Sequence, residues 1–194
     1  MKLAILGSTK GTDMEAIIAA IKDGILDASI EVVASDRKDA FILERAKRHG
    51  IPAFFLDPKG KTRETFDNDL KQLLQRFKPD VILLIGYMRI LSVGFVREFK
   101  DKIINVHPSL LPAFAGGMDL NVHQAVLDAG VAKTGCTVHL VDEGVDTGKI
   151  LLQKKCDVLQ NDTAETLKQK VQQLEGETLI EVLRAWNKNN RNTV

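Results

Sequence analysis

Short apolar runs alternate with amphipathic stretches along this chain, the pattern of β-α-β units that cover a parallel sheet. Residues 3–6, Leu-Ala-Ile-Leu, predict a compact buried strand, and Gly7-Ser8-Thr9-Lys10-Gly11-Thr12 the loop after it. Asp13 is placed to cap the next helix, whose Met14, Ile17, Ile18 and Ile21 recur at helical spacing. Gly24 closes that helix. Residues 30–34 read as a second strand, 39–49 as a second helix stopped by Gly50, and 53–56 as a short third strand. A third helix sets Phe66, Leu70, Leu73, Leu74 and Phe77 on one face and ends before Pro79. Residues 81–85 are apolar throughout, which predicts a central strand covered on both faces. A short helix over 91–99 and a fifth strand over 102–107 complete this half.

The second half has a different texture. Residues 107–118 carry two prolines and two adjacent glycines and predict a loop, followed by a helix-compatible stretch over 122–127. Residues 135–141 and 149–158 predict two strands, and their short connection suits a hairpin better than a crossover helix. Asn161-Asp162 opens a long helix, with Glu165 placed to complete a capping box with Asp162. Its apolar stripe is Leu167, Val171, Leu174, Val182 and Trp186. The expected fold is therefore a doubly wound α/β, mostly parallel sheet with an antiparallel C-terminal extension and a long closing helix. One domain over 1–186 is expected, with a polar C-terminal tail over 187–194. In such sheets ligands bind beyond the carboxyl ends of the strands. Here those ends lead into residues 7–13, 86–90 and 107–112.

Composition narrows the partners. The 194 residues hold 27 Lys plus Arg against 26 Asp plus Glu, a formal charge of +1, which argues against nucleic acid or an anionic membrane as the dominant partner. Two cysteines, Cys136 and Cys156, without a C-x-x-C spacing, support neither a disulfide framework nor a zinc site, so no metal is expected. The apolar run over 81–85 is far too short to span a membrane, and the opening residues are too short for a signal peptide. A cytoplasmic protein acting on small molecules, monomer or homodimer, is the expectation.

Three stretches could carry chemistry. A glycine-containing turn between strand and helix presents backbone N–H groups to an anion, although Gly7…Gly11 fits neither the dinucleotide nor the P-loop spacing, and a plain connecting turn reads equally well. Strand alternation puts Ile103, Asn105 and His107 on one face, so an amide donor and an imidazole reach the end of the strand together. Pro108 biases His107 toward an extended backbone. Asn can donate to a developing oxyanion and His can exchange a proton near neutrality, but an isolated N-x-H also reads as a structural pair. The third stretch holds Asp142, Glu143 and Asp146; it reads as a solvated acidic turn, or as the source of a carboxylate that raises the pKa of His107. His139 shares a face with Thr137 and Val141, which can bring it into the same pocket, and it reads first as a packed sheet histidine. Arg63 is either a first-turn helix residue or an anion contact.

Taken together these stretches have a known order. Asn105-Val106-His107-Pro108-Ser109-Leu110-Leu111-Pro112, followed by Val145-Asp146-Thr147-Gly148, resembles the signature of the folate-dependent formyltransferase family. The stretch Gly86-Tyr87-Met88-Arg89-Ile90-Leu91-Ser92 narrows the resemblance to the branch that formylates phosphoribosylglycinamide. The resemblance runs from Lys2 to about Trp186. It implies a Rossmann-like fold and transfer of a formyl group from 10-formyltetrahydrofolate, a co-substrate, to the glycine amine of phosphoribosylglycinamide in purine synthesis. It implies Asn105, His107 and Asp146 as catalytic residues: Asn105 on the oxygen of the tetrahedral intermediate, His107 as proton donor, and Asp146 raising the pKa of His107. It assigns Gly11, Thr12, Asp13 and Glu175 to the phosphoribosylglycinamide, and Arg63, Met88, Arg89, Ile90, Leu91 and Asn105 to the folate. The family loop usually reads Ser-Gly-x-Gly-Ser-Asn; here Asp13 stands in the place of Asn, and an anion facing a phosphate is unfavourable. Asp13 is therefore expected to cap its own helix, leaving Lys10 and the backbone N–H groups to the phosphate.

The alternatives within this resemblance are a formyltetrahydrofolate deformylase, which is a hydrolase, and another amine formyltransferase. The deformylase carries an N-terminal regulatory domain, and a catalytic sheet that starts at Lys2 leads to the expectation of a transferase. A binding module without catalysis would not require an acid together with the carboxylate that tunes it.

Overall fold

The computed structural model describes residues 1–117 and 120–191. The expectation for residues 107–118 thus extends at Met118 just outside the described residues. The chain divides into two compact units, Met1–Asn105 and Val106–Val194.

The first unit is a parallel sheet with helices between its strands. In chain order it holds β1 (Lys2–Leu6), α1 (Thr12–Lys22), β2 (Ser29–Ser35), α2 (Phe41–Arg48), β3 (Ala53–Phe55), α3 (Arg63–Phe77), β4 (Val81–Leu84) and α4 (Val93–Glu98). Strand β5 (Ile103–His107) begins in this unit and ends in the next. The strands lie in the order β3-β2-β1-β4-β5, and β1 pairs in parallel with both β2 and β4. Strand β4 pairs in parallel with β5, with Leu84 opposite Asn105. As the unbroken apolar run predicts, β4 is buried at every position.

The start of α1 departs from the sequence reading. The N-cap is Gly11, in the left-handed region at φ 68°, and no side chain caps the helix. Asp13 is thus a residue of the first turn, buried at 7% exposure, and not a cap. The physical reason is the room available: a Cβ on Gly11 would run into the Ile42 side chain, so this close approach of loop to α2 requires glycine and starts the helix two residues earlier.

The second unit holds the end of β5, α5 (Leu120–Asp128), β6 (Lys133–Leu140), β7 (Ile150–Asp157) and α6 (Ala164–Arg191). Strands β6 and β7 form the expected antiparallel pair. Their register shifts between Val138 and His139, a bulge that re-aims the residues next to it. Helix α6 packs on β6, β7 and α5 through Leu167, Val171, Leu179, Val182 and Leu183. It continues through Arg191, so residues 187–191, expected in a polar tail, are helical. Its first turn is closed by a reciprocal pair: Thr163 Oγ1 accepts the Thr166 N–H (3.3 Å) and Thr166 Oγ1 accepts the Thr163 N–H (2.9 Å). The expected Asp162–Glu165 box does not form, because the helix starts one residue later and Asp162 binds the Leu159 N–H and Lys170. Among the described residues no helix is long and apolar enough to cross a membrane.

Candidate active site

In the second unit, chemistry gathers at the end of β5. The chain leaves His107 through Pro108 into a loop that is fixed to the hairpin by buried polar groups. Thr137 Oγ1 donates to the Ser109 carbonyl (2.6 Å) and accepts the Leu111 N–H (3.0 Å). Gln153 Nε2 donates to the Leu111 carbonyl (3.0 Å) and to Thr137 Oγ1 (2.9 Å). Ser109 Oγ closes the turn on the Ala113 carbonyl (2.6 Å). The Pro-Ser-Leu-Leu-Pro stretch is thereby a rigid frame for the histidine that precedes it.

His107 is 3% exposed and sits between two acceptors. Its Nε2 lies 3.1 Å from the Phe114 carbonyl and its Nδ1 3.2 Å from Asp146 Oδ2. The same Oδ2 accepts the Gly116 N–H at 2.8 Å. Asp146 holds a left-handed backbone at φ 56°, uncommon for a residue with a side chain and typical of positions where geometry serves a site. Its other oxygen, Oδ1, lies 3.5 Å from His139 Nε2. His139 is 2% exposed, and its Nδ1 reaches the Leu140 carbonyl at 2.8 Å. One carboxylate therefore stands between two buried imidazoles.

Burial sets the electrostatics first. It pushes the His107 imidazole below its ordinary 6.5, and the His139 ring pushes the same way, while Asp146 and the Phe114 carbonyl pull upward without prevailing. Asp146 thus acts on His107 in the expected direction, raising its pKa, and desolvation outweighs it. Asp146 itself is pushed up by burial. The His139 contact, the Gly116 N–H and the charge of both imidazoles together outweigh that and hold it below the ordinary carboxylate value.

Asp142, in the same loop, is held by its own turn. Asp142 Oδ1 accepts the Gly144 N–H (3.0 Å) and the Thr147 hydroxyl (2.7 Å), a local turn that is exposed to solvent, as is Glu143. Glu175 is buried on α6 at 7% exposure. The face that His139 shares with Thr137 and Val141 offered it a place in the same pocket, and the structure sets it beside Asp146.

In the first unit, the loops at the strand ends are tied by Ser8, which the sequence reading passed over. Its Oγ donates to Asp36 Oδ1 (2.6 Å) and accepts the Met88 N–H (2.9 Å), and its own N–H binds the Gly86 carbonyl (3.0 Å). A serine two residues after the first strand was the available signal. Met88 and Arg89 are half-buried, Ile90 is 46% exposed and Leu91 is buried. The Arg89 guanidinium stacks 4.3 Å over the Phe66 ring, and Asp67 Oδ2 accepts the Ser92 N–H at 2.5 Å, so α3 holds this segment from both ends. Arg63 is exposed at the first turn of α3 and Thr12 is exposed at the start of α1. Burial pushes the Asp13 carboxyl up to about 7. Asn105, half-buried, shares a strand face with His107 by the alternation of β5.

Comparison with known proteins follows the same lines. The formyl transferase family model matches residues 1–183. The phosphoribosylglycinamide formyltransferase of Bacillus subtilis (strain 168) is 38% identical over 175 residues, covering 90% of this chain and 88% of that protein. The trifunctional purine biosynthetic protein adenosine-3 of Drosophila pseudoobscura pseudoobscura is 44% identical over 173 residues, which is 88% of this chain and 12% of that protein. The chain thus spans about an eighth of that relative, and 17% of the trifunctional relative from Bos taurus. Among solved structures, glycinamide ribonucleotide transformylase 1 from Symbiobacterium toebii superposes with a TM-score of 0.93 at 38% identity, over 97% of this chain and 88% of that one. The phosphoribosylglycinamide formyltransferase from Bacillus halodurans gives 0.90 at 37% identity, over 96% and 95%. Matched over nearly all of its length in sequence and in fold, this chain belongs to the formyl transferase family.

Proposed function

We propose that this chain transfers a formyl group from 10-formyltetrahydrofolate to the glycine amine of phosphoribosylglycinamide, a step of purine synthesis. The observation that carries the reading is the buried His107–Asp146 pair at 3.2 Å, set in the Asn-x-His-Pro-Ser-Leu-Leu-Pro frame. In this reading the neutral amine attacks the formyl carbon, and a C–N bond forms as the carbonyl oxygen becomes an oxyanion. Asn105 donates its amide N–H to that oxygen, which is where charge develops. The tetrahedral intermediate collapses by breaking the bond from the carbon to the folate nitrogen. That nitrogen takes the proton of the His107 imidazolium, while the former amine gives up one proton through water ordered at Asp146. Asp146 keeps the imidazole oriented through Nδ1 and compensates its charge.

Gly11, Thr12, Asp13 and Glu175 are assigned to the phosphoribosylglycinamide, with Lys10 and the backbone N–H groups at the phosphate. Arg63, Met88, Arg89, Ile90, Leu91 and Asn105 are assigned to the folate. The reading describes one cytoplasmic domain over 1–186, monomer or homodimer, acting on small molecules without a metal.

The test is an acceptor panel with 10-formyltetrahydrofolate: the glycinamide ribonucleotide, water alone, and a sugar-nucleotide amine, followed by folate absorbance. Turnover only with the glycinamide ribonucleotide is expected. Consumption of the donor without any acceptor would make the chain a hydrolase, and turnover only with the sugar-nucleotide amine would make it another amine formyltransferase.

A further inference from the structure

The acidic centre of the second unit is not a pair. Asp146 uses both oxygens on imidazoles: Oδ2 toward His107 at 3.2 Å and Oδ1 toward His139 at 3.5 Å. His139 is as buried as His107, so its contact is shielded from solvent. Its other nitrogen, Nδ1, lies 2.8 Å from the Leu140 carbonyl, which can only accept, so Nδ1 carries a hydrogen. The ring plane is fixed by that bond. Two backbone features hold it there. The register shift of the hairpin falls immediately before His139. Gly148 approaches the Leu140 carbonyl so closely that a Cβ would collide with it, which keeps that carbonyl in place for the ring.

We propose that His139 is a positioning residue for Asp146: both of its ring nitrogens face acceptors, so as an imidazolium it donates from Nδ1 to the Leu140 carbonyl and from Nε2 to Oδ1, and thereby aims Oδ2 at His107. This rests on the formyl-transfer reading for its catalytic consequence, but not for its geometry. The donation has an electrostatic corollary. A carboxylate that also answers to His139 has less attraction left for the proton of His107. The groups that act on the Asp146 carboxylate are these two imidazoles and the Gly116 N–H, and those that act on His107 are Asp146, His139 and the Phe114 carbonyl. His139 therefore both orders the carboxylate and restrains the charge it can confer.

Two amide substitutions separate the contacts of this ring. The Nε2 of a glutamine falls near the imidazole Nε2 and keeps a donor toward Asp146; the Nδ2 of an asparagine falls near Nδ1 and keeps only the bond to the Leu140 carbonyl. In the full chain, His139→Gln is expected to retain kcat within about threefold. His139→Asn is expected to lower kcat by about tenfold or more, with KM for both substrates within about twofold, the mark of lost transition-state organisation. The second readout needs no turnover: ring nuclear magnetic resonance of His107 in the substrate-free chain. Its titration midpoint is expected to rise in His139→Gln, where the donor to Oδ1 stays and the positive charge of the ring is gone. Equal kcat in the two variants, or an unmoved His107 midpoint in His139→Gln, would overturn the proposal. If the chain proves inactive with every acceptor while the midpoint still rises, the formyl-transfer reading fails and the role of His139 toward Asp146 stands.

Discussion

Asp13 shows what one residue does to this fold. Its carboxyl is buried in the first turn of α1, its Oδ1 has no hydrogen-bond partner, and burial pushes its pKa from 3.8 to about 7. A carboxyl raised on folding contributes stability that is fully present below the unfolded value and lost as pH rises through the folded one. The chain should therefore lose stability between pH 4 and pH 7, and this contribution should be level above that window. Asp13→Asn removes the titration. Urea unfolding is expected to show the variant more stable than the wild type at pH 8 by about 1 kcal/mol or more, with the gap narrowing at pH 5. Equal stability at both values would mean that the carboxyl has found a partner in solution. The same residue explains part of what the sequence hid. The pattern singled out Asn105, His107 and Asp146 as candidates because short, ordered motifs carry them. Whether Asp13 would cap or be buried depended on where the helix starts, and that was decided by the Ile42 side chain from a different helix.

The elements were legible where a single period decides them. Strand β4, unbroken and apolar, and helix α3, with its five apolar residues on one face, formed over nearly the expected positions. Their ends were less so, because an end is set by which polar side chain wins a backbone N–H. Helix α6 is the clear instance. Asp162 had two offers, the expected cap position and the Lys170 ammonium, and it lies 2.7 Å from the latter. The cap then passed to Thr163 and Thr166. Removing one member of such a reciprocal pair leaves an orphan N–H at the helix start. Thr163→Ala is expected to cost about 1 kcal/mol in denaturant unfolding. Glu165→Ala, at the position the sequence pattern favoured, is expected to stay within about 0.5 kcal/mol of wild type. The reverse order would restore the Asp162–Glu165 box.

For the molecule as a whole, the alternation of strand and helix was enough to give the parallel half, and the short connection over 142–148 was enough to give the antiparallel pair. What no pattern in the sequence marked was the division after Asn105. It falls inside β5, whose first residues pair with β4 while His107 belongs to the second unit. A strand is a poor place to divide a protein. If the second unit unfolded alone, β5 would be cut short after Asn105, in the middle of one continuous run of extended backbone. That argues for one cooperative transition despite two centres of packing. The chain carries its own reporters for this, since its single tyrosine, Tyr87, lies in the first unit and its single tryptophan, Trp186, in the second. Thermal unfolding followed by the fluorine resonance of 3-fluorotyrosine at Tyr87 and by Trp186 fluorescence is expected to give the same midpoint. A Trp186 transition several degrees below that of Tyr87 would show that the second unit, with His107 and Asp146, opens independently, and the single domain over 1–186 would then be replaced by two.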